Sequence, residues 1–319
     1  RISSLVVGVT RPRMADFSSI EFWAITSHSG FSMAGFQKAT RKQVRLRMAI
    51  EGPSGSGKTF TMLRFAHVLV RELYGEAGRI AVINSETGRI EKYLGLSPDG
   101  ITFDFDINTL QSFAPKNYTD AILEAGSLGY HALIIDSLSH AWDGVGGALD
   151  QVDKSSDKNK FTAWKDVTPQ HRRLVDAITR SPCHVFASMR TKTETVLEAD
   201  DRGRMVPRKI GTKPIQREGM EYEFDIVGDI DLFHEMRISK TQCPDIDGVV
   251  ELKPGDSFMR PVIKWLTEGS EVSSDYFAVT EADLDAIRTR DRRSAAQQPQ
   301  KPVNFRDRLT AAGSAAIVA

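Results

Sequence analysis

The sequence predicts an α/β fold with a mainly parallel central sheet flanked by helices on both faces. Three observations carry this expectation. Short apolar runs alternate with segments of helical period. A Gly/Ser-rich turn joins the first clear run to the first helix. No apolar stretch approaches the ~20 residues of a membrane span. The 319 residues include 42 Lys+Arg and 42 Asp+Glu, so the formal net charge is zero, and 40% are hydrophobic. That balance fits a globular chain and argues against a wholly basic nucleic-acid coat, while leaving room for a local basic patch. Two cysteines, Cys183 and Cys243, exclude a disulfide framework and a four-thiolate zinc site. The expected location is the cytoplasm, with no membrane partner.

Residues 1–40 show no sustained period and read as an N-terminal extension; Met14 and Met33 both offer starts within it. Val44–Ile50 alternates apolar and basic residues and enters a core as a strand. Residues 52–57 form the turn, and Met62, Leu63, Phe65, Ala66, Leu69, Val70 and Leu73 then fall at helical spacing. Arg79–Asn84 is a second strand. Residues 117–128 suit a helix with Thr119 as cap, and His131–Ile135 is a buried strand ending at Asp136. Thr168-Pro169 marks a helix start running to about Arg180. Cys183–Ala187 is a further strand, and Glu221–Ile230 reads as a strand with one wet face. The expected organisation is a core at 41–245, a small C-terminal appendage at 246–289 and a flexible tail at 290–319.

Gly52–Thr59 matches G-x-x-x-x-G-K-[ST] in full, after a strand and opening a helix. Gly55 and Gly57 let backbone N–H groups converge on phosphate oxygens, and the helix aims its positive end at the same place. Gly52, Pro53, Ser54, Gly55, Ser56, Gly57, Lys58, Thr59 and Phe60 are the expected nucleotide contacts. Lys58 reaches the β- and γ-phosphates, and the Thr59 hydroxyl ligates Mg²⁺. Asp136, closing an apolar strand, is the carboxylate expected to support Mg²⁺. Glu86, just past another strand end, is the expected base for the attacking water. Ser188, Arg190 and Lys192 follow a third strand, where Arg190 reads the γ-phosphate.

Other phosphate-loop classes leave marks that are missing. No Ser-Gly-Gly transporter signature precedes the Asp strand, and no Asn-Lys-x-Asp base reader occurs. The strand ends Asp136-Ser137 rather than in the Asp-Glu of hexameric remodelling machines. At these residues the sequence resembles the RecA-like P-loop ATPases. It looks most like the short phage-encoded, AAA-type ATP-binding proteins of that superfamily, some of which are single-strand annealing proteins. The stretches that carry the resemblance are Phe36–Ala39, Gly52–Thr59, Ile134–Trp142, Phe161–Trp164, Ser188–Glu194 and Lys213–Phe224, spanning residues 36–245. The resemblance implies ATP and Mg²⁺ at Lys58, Thr59 and Asp136, water activation by Glu86, and a bacterial host cell. It departs from the pattern at Ser188-Met189-Arg190, where RecA carries an amide sensor.

Residues 202–217 hold Arg202, Arg204, Arg208, Lys209, Lys213 and Arg217 with no acid between them. Gly203, Pro207, Gly211 and Pro214 interrupt regular structure, so the expectation is a mobile basic loop. In RecA-like proteins a loop so placed contacts single-stranded DNA, and phosphate tracking suits its charge. Lys213 and Arg217 are also candidates for reaching a neighbouring subunit's ATP. The segment Asp143–Lys160 reads as a second glycine-containing loop, but its charges nearly cancel. Phe36-x-x-Ala39 resembles the tether by which some recombinases dock head to tail, which implies a homo-oligomeric ring or filament. Trp142 and Trp164 read as core or interface. The reading is thus an ATPase acting on single-stranded DNA in phage recombination or annealing, with a single-strand-binding protein as a further partner. Two alternatives are a nucleoside or nucleotide kinase and a nucleotide-dependent scaffold for replication proteins.

Overall fold

The computed structural model describes residues 39–86, 88–96, 98–155, 160–199 and 204–270. The extension with Phe36, the tail beyond 270, Lys158 and Arg202 lie outside the described residues. In chain order the elements are β1 (Arg47–Gly52), α1 (Lys58–Tyr74), β2 (Ile80–Asn84), β3 (Asp106–Thr109), α2 (Pro115–Ser127), β4 (Ala132–Asp136), α3 (His140–Asp143), α4 (Ala148–Lys154), α5 (Lys160–Arg180), β5 (His184–Ala199), β6 (Met205–Pro214), β7 (Ile226–Ile230), β8 (Glu235–Thr241), β9 (Val250–Leu252) and α6 (Asp256–Thr267). The strands order as β3-β2-β4-β5-β1-β7-β8-β9, with β6 paired to β5 off this path. From β3 to β7 neighbours are parallel, and β8 and β9 add an antiparallel edge.

Period-two alternation divides each central strand between two cores. Met48, Ile50, Val82, Ile134 and Phe186 face α1 and α6. Ala49, Ile83, Leu133, Ile135, Val185 and Ala187 face α2 and α5. This is the sheet covered on both faces that the alternation of elements predicts, and every phosphate-facing loop leaves the carboxyl edge. Among the described residues no helix is long and apolar enough to cross a membrane.

Several expectations are corrected. Helix α2 starts at Pro115 after Ala114, and Thr119 is not its cap: its hydroxyl bonds back to the Pro115 carbonyl at 3.0 Å. Helix α5 starts at Lys160, not at Thr168, and contains Pro169. A mid-helix proline forfeits one backbone hydrogen bond. Here the apolar face runs through it: Ala163 and Val167 pack in a small cluster before the proline, and Leu174, Ala177 and Ile178 enter the α2 core after it. Trp142 and Trp164 stack at 5.6 Å against that cluster. Within the supposed loop 143–160, residues Ala148–Lys154 form helix α4, and Lys154 pairs with Asp150 at 2.8 Å.

The largest difference is the basic segment. Strand β5 does not stop at Ala187 but continues to Ala199, and β6 pairs antiparallel with its far half. A regular hairpin therefore replaces most of the expected mobile loop. The Thr191, Thr193, Thr195 alternation favours a strand, and β6 is a one-sided edge where Pro207 and Pro214 need donate nothing to a further neighbour. A bulge opposite Glu194/Thr195 absorbs residue 210, between Lys209 and Gly211. The break expected after 245 is also not seen. Strand β9 extends the sheet, and Phe258, Met259, Val262 and Leu266 of α6 join the α1 core.

Arg47 fixes the lower edge of the sheet. Its buried guanidinium donates to the carbonyls of Leu46 (3.0 Å), Cys183 (2.8 Å), Thr179 (3.2 Å) and Ser181, closing the end of α5. Burial lowers its pKa to about 10, so it stays charged at neutral pH. Arg47→Met removes the guanidinium donor from the Thr179, Ser181 and Cys183 carbonyls, while Leu46 keeps the Val185 N–H at 2.8 Å, and is expected to cost about 3 kcal/mol. Urea unfolding measures this, and a change under about 1 kcal/mol contradicts the role.

Candidate nucleotide-binding site

The site begins at Gly52, where β1 ends in register with Arg190 of β5. The loop then turns through Gly55 and Gly57 at φ 87° and 93°, a left-handed backbone that glycine adopts without penalty. Helix α1 opens at Lys58 and runs for 17 residues, so its unpaired N–H groups and positive pole face the hollow of the loop. The Lys58 ammonium bends back onto the loop, donating to the carbonyls of Gly52 (2.9 Å) and Pro53 (2.7 Å). Burial lowers its pKa, and the charges of Asp136 and Glu86 oppose that shift.

Asp136 lies at the end of β4, in register with Asn84 of β2, and is 3% exposed. The Thr59 hydroxyl donates to its Oδ2 at 2.6 Å and the Ser188 hydroxyl to its Oδ1 at 2.5 Å. Burial raises the carboxyl pKa, while the hydrogen bonds from Ser188 and Thr59 pull it down. Thr59 and Asp136 thus meet as the sequence predicts, and Ser188 adds a donor that orients the carboxylate. A carboxylate and a hydroxyl at the mouth of a phosphate loop fit Mg²⁺, which takes one or two protein oxygens and fills the rest with phosphate and water. Among the described residues no group of three His, Cys, Asp or Glu could hold a metal alone.

Glu86 follows β2 by two residues, with its backbone N–H on the Asn84 side chain at 2.9 Å. Its Oε1 accepts from Arg190 Nε (3.0 Å) and Nη2 (2.5 Å), and its Oε2 accepts from Arg89 (2.9 Å). Burial pushes its pKa up. The hydrogen bonds and charge of Arg190, helped by Arg89 and His140, outweigh that and hold the carboxyl below its ordinary range. The two residues assigned separately to water activation and γ-phosphate sensing are therefore one ion pair in this state.

These groups line a cavity of about 580 Å³. Phe60, Arg64, Tyr93, His234, Lys253 and Pro254 also line it. Sequence reasoning missed all of these but Phe60. Arg89 and Tyr93 share the connection that follows Glu86, which was a usable signal. His234 and Lys253 arrive from strands nearly two hundred residues downstream of the loop, and no local pattern announces them.

The predicted DNA contacts divide. Arg208, Lys209 and Lys213 belong to β6, Arg204 is exposed just before it, and Arg217 lies beyond its end near the hairpin base. In register Lys192 faces Lys213, while Glu194 and Glu198 of β5 face Gly211 and Val206. Lys213 also pairs with Glu194 at 3.1 Å. The hairpin is thus a mixed ribbon, its described part carrying five cations, Lys192 included, against two acids.

The strand order, the loop and its helix, and the buried carboxylate opposite Thr59 define a P-loop ATPase with a RecA-like fold. The chain belongs to the family described as AAA domain, which it matches over residues 45–259. No curated protein matches it. Among solved structures it is similar to the KaiC-like protein PH0186 from the hyperthermophilic archaeon Pyrococcus horikoshii OT3. That match has 13% identity and a TM-score of 0.39, and covers 64% of this chain and 82% of that one.

Glu51 stands one residue before the loop, buried in register with Asp229 of β7. Its Oε1 finds no hydrogen-bond partner among the described residues. Burial, then the nearby Asp229 and Glu221, raise its pKa to about 8. The unfolded chain releases this proton near pH 4.5 and the folded chain keeps it to about pH 8. Folding therefore binds a proton within that window, and the stability contributed below it is lost as pH rises through it. Glu51→Gln, which mimics the protonated form, is expected to flatten the fall in stability between these limits. Urea midpoints across the window test this, and equal slopes for the two proteins would contradict it.

Proposed function

We propose that the protein is a Mg²⁺-dependent ATPase whose turnover is coupled to single-stranded DNA, supporting annealing or strand exchange in recombination. One observation carries this reading: β5 is continuous from the sheet interior to the hairpin. It passes Ser188, which holds Asp136, and Arg190, which holds Glu86, before it becomes an arm of the basic ribbon. The ribbon's root is pinned at the same point. Ile215 N–H donates to the Arg190 carbonyl at 2.7 Å, and Arg190 N–H to the Ser139 hydroxyl at 2.9 Å.

Lys58 exchanges its two loop carbonyls for phosphate oxygens, and the N–H groups at the start of α1 bind the same anion. Thr59 and Asp136 would hold Mg²⁺, which supplies neutralisation of the phosphate charge. Arg190 changes partner from Glu86 to the incoming anion. The freed Glu86 carboxylate then orients a water and accepts its proton. The side-chain movement of Arg190 occurs at the root of the hairpin, so nucleotide state and ribbon position become linked. Phosphate contacts by Lys192, Arg204, Arg208, Lys209 and Lys213 account for the DNA end. The described part of the ribbon contains no aromatic residue, so binding is electrostatic rather than by base stacking. Head-to-tail assembly into a ring or filament is part of the same proposal.

The test is ATP hydrolysis with and without a single-stranded oligonucleotide at about 50 and about 200 mM salt. Stimulation is expected, abolished by Lys58→Ala. For about four neutralised phosphates, DNA affinity should fall about 50-fold between the two salts. Turnover indifferent to DNA, with none retained at low salt, would remove the DNA reading and favour a nucleotide-dependent scaffold. Glu86→Gln should lower kcat by about 100-fold or more while nucleotide still binds. A change confined to KM would take the base role away from Glu86.

A further inference from the structure

The turn between β7 and β8 wraps around Asp231, whose Oδ1 accepts from the N–H groups of Phe233 (2.8 Å) and Glu235 (3.0 Å). It leaves His234 at φ 65°. The other described non-glycine residue with positive φ is Lys253, at 51°. The two are joined, Lys253 N–H donating to the His234 carbonyl at 2.8 Å, and both line the nucleotide cavity. Left-handed backbone at a residue other than glycine costs about 1–2 kcal/mol and persists only where its surroundings hold it. Here the strain falls on one wall of the site.

The His234 imidazole reaches the phosphate loop, with Nδ1 2.9 Å from the Ser56 carbonyl oxygen. A carbonyl only accepts, so Nδ1 carries the hydrogen. The contact is close enough that a Cβ built on Gly57 would stand 3.0 Å from the same nitrogen. The Ser56–Gly57 peptide is trans, so its C=O and N–H point in opposite directions. Holding the Ser56 carbonyl on the turn turns the Gly57 N–H away from the imidazole, and Gly57 itself lines the cavity. The neighbours of His234 in the turn, Leu232 and Phe233, are both exposed.

We propose that His234 is a positioning residue for nucleotide binding: it fixes the Ser56–Gly57 peptide so that the Gly57 N–H meets the phosphate. The proposal rests on reading this cavity as the nucleotide site. ADP binding measured by calorimetry on the full chain tests it, beside melting temperatures without nucleotide. Glycine suits the left-handed backbone, so His234→Gly should melt close to wild type and yet bind ADP about 10-fold more weakly, the worth of one hydrogen bond. Asparagine also tolerates that backbone, and its Nδ2 branches where the imidazole Nδ1 does, so His234→Asn should bind within about twofold of wild type. Glycine and wild-type proteins of equal affinity, or an asparagine variant as weak as glycine, would overturn the proposal. Should the glycine variant not fold, the Gly57 amide resonance decides: on ADP addition it must shift in wild type and in His234→Asn alike. A wild-type protein that binds no ADP defeats the nucleotide reading itself. Wild-type binding with unaffected variants defeats only the role of His234.

Discussion

Burying an ionisable carboxylate is costly unless its oxygens find donors, and Asp136 is the place where this fold meets that cost. Thr59 covers one oxygen and Ser188 the other. One donor comes from the first turn of α1, the other from the middle of β5, and the acid itself from the end of β4. A shift of α1 or β5 would strip one donor from a desolvated carboxylate, and a shift of β4 would strip both. The strand order follows the same need. With β4, β5 and β1 adjacent, the carboxylate, its serine and the phosphate loop all reach one rim of the sheet.

The Glu86–Arg190 pair next to it is of a different kind. The Arg190 side chain is 33% exposed, and Arg89, which shares the carboxylate, is 61% exposed. Ion pairs with wet partners are individually weak and exchange readily. The site therefore combines a rigid anchor with an exchangeable pair, and the exchangeable partner sits on the strand that becomes the hairpin. In the proposed exchange, an anion beside Lys58 competes with Glu86 for Arg190 at short range in a sheltered cavity, where charge differences count most.

The parallel core was legible because burial on both faces makes β2, β4 and the Met48–Ile50 centre of β1 continuous apolar runs, and α1 a clear amphipathic period. Lys58, Thr59 and Asp136 were legible because local backbone geometry dictates residue type: a loop that must turn left-handed needs glycine, and a strand end with a free carboxyl edge carries the acid. The start of α5 was not, because Thr168-Pro169 is a valid cap locally and only the packing of Ala163 and Val167 overrides it. The hairpin was hidden by its own prolines, which signal a break unless the strand is known to lie on an edge. His234 and Lys253 were beyond reach for another reason. Their relation to the loop exists only in the folded register of β7, β8 and β9.

That the basic segment is a strand rather than a mobile loop changes its energetics. Fixing a free backbone costs roughly 1–2 kcal/mol per residue, so a disordered loop of this length would spend most of its phosphate contacts on its own ordering. A preformed ribbon has met that cost in folding, and its contacts appear more fully in the binding free energy. The same rigidity bears on the proposed coupling. A loop would absorb a change in Arg190 within a residue or two, whereas a paired strand carries a displacement of its root to its outer end. On the proposed DNA reading, the acids on β5 moderate the attraction, so that the ribbon could release a polyanion as well as hold it.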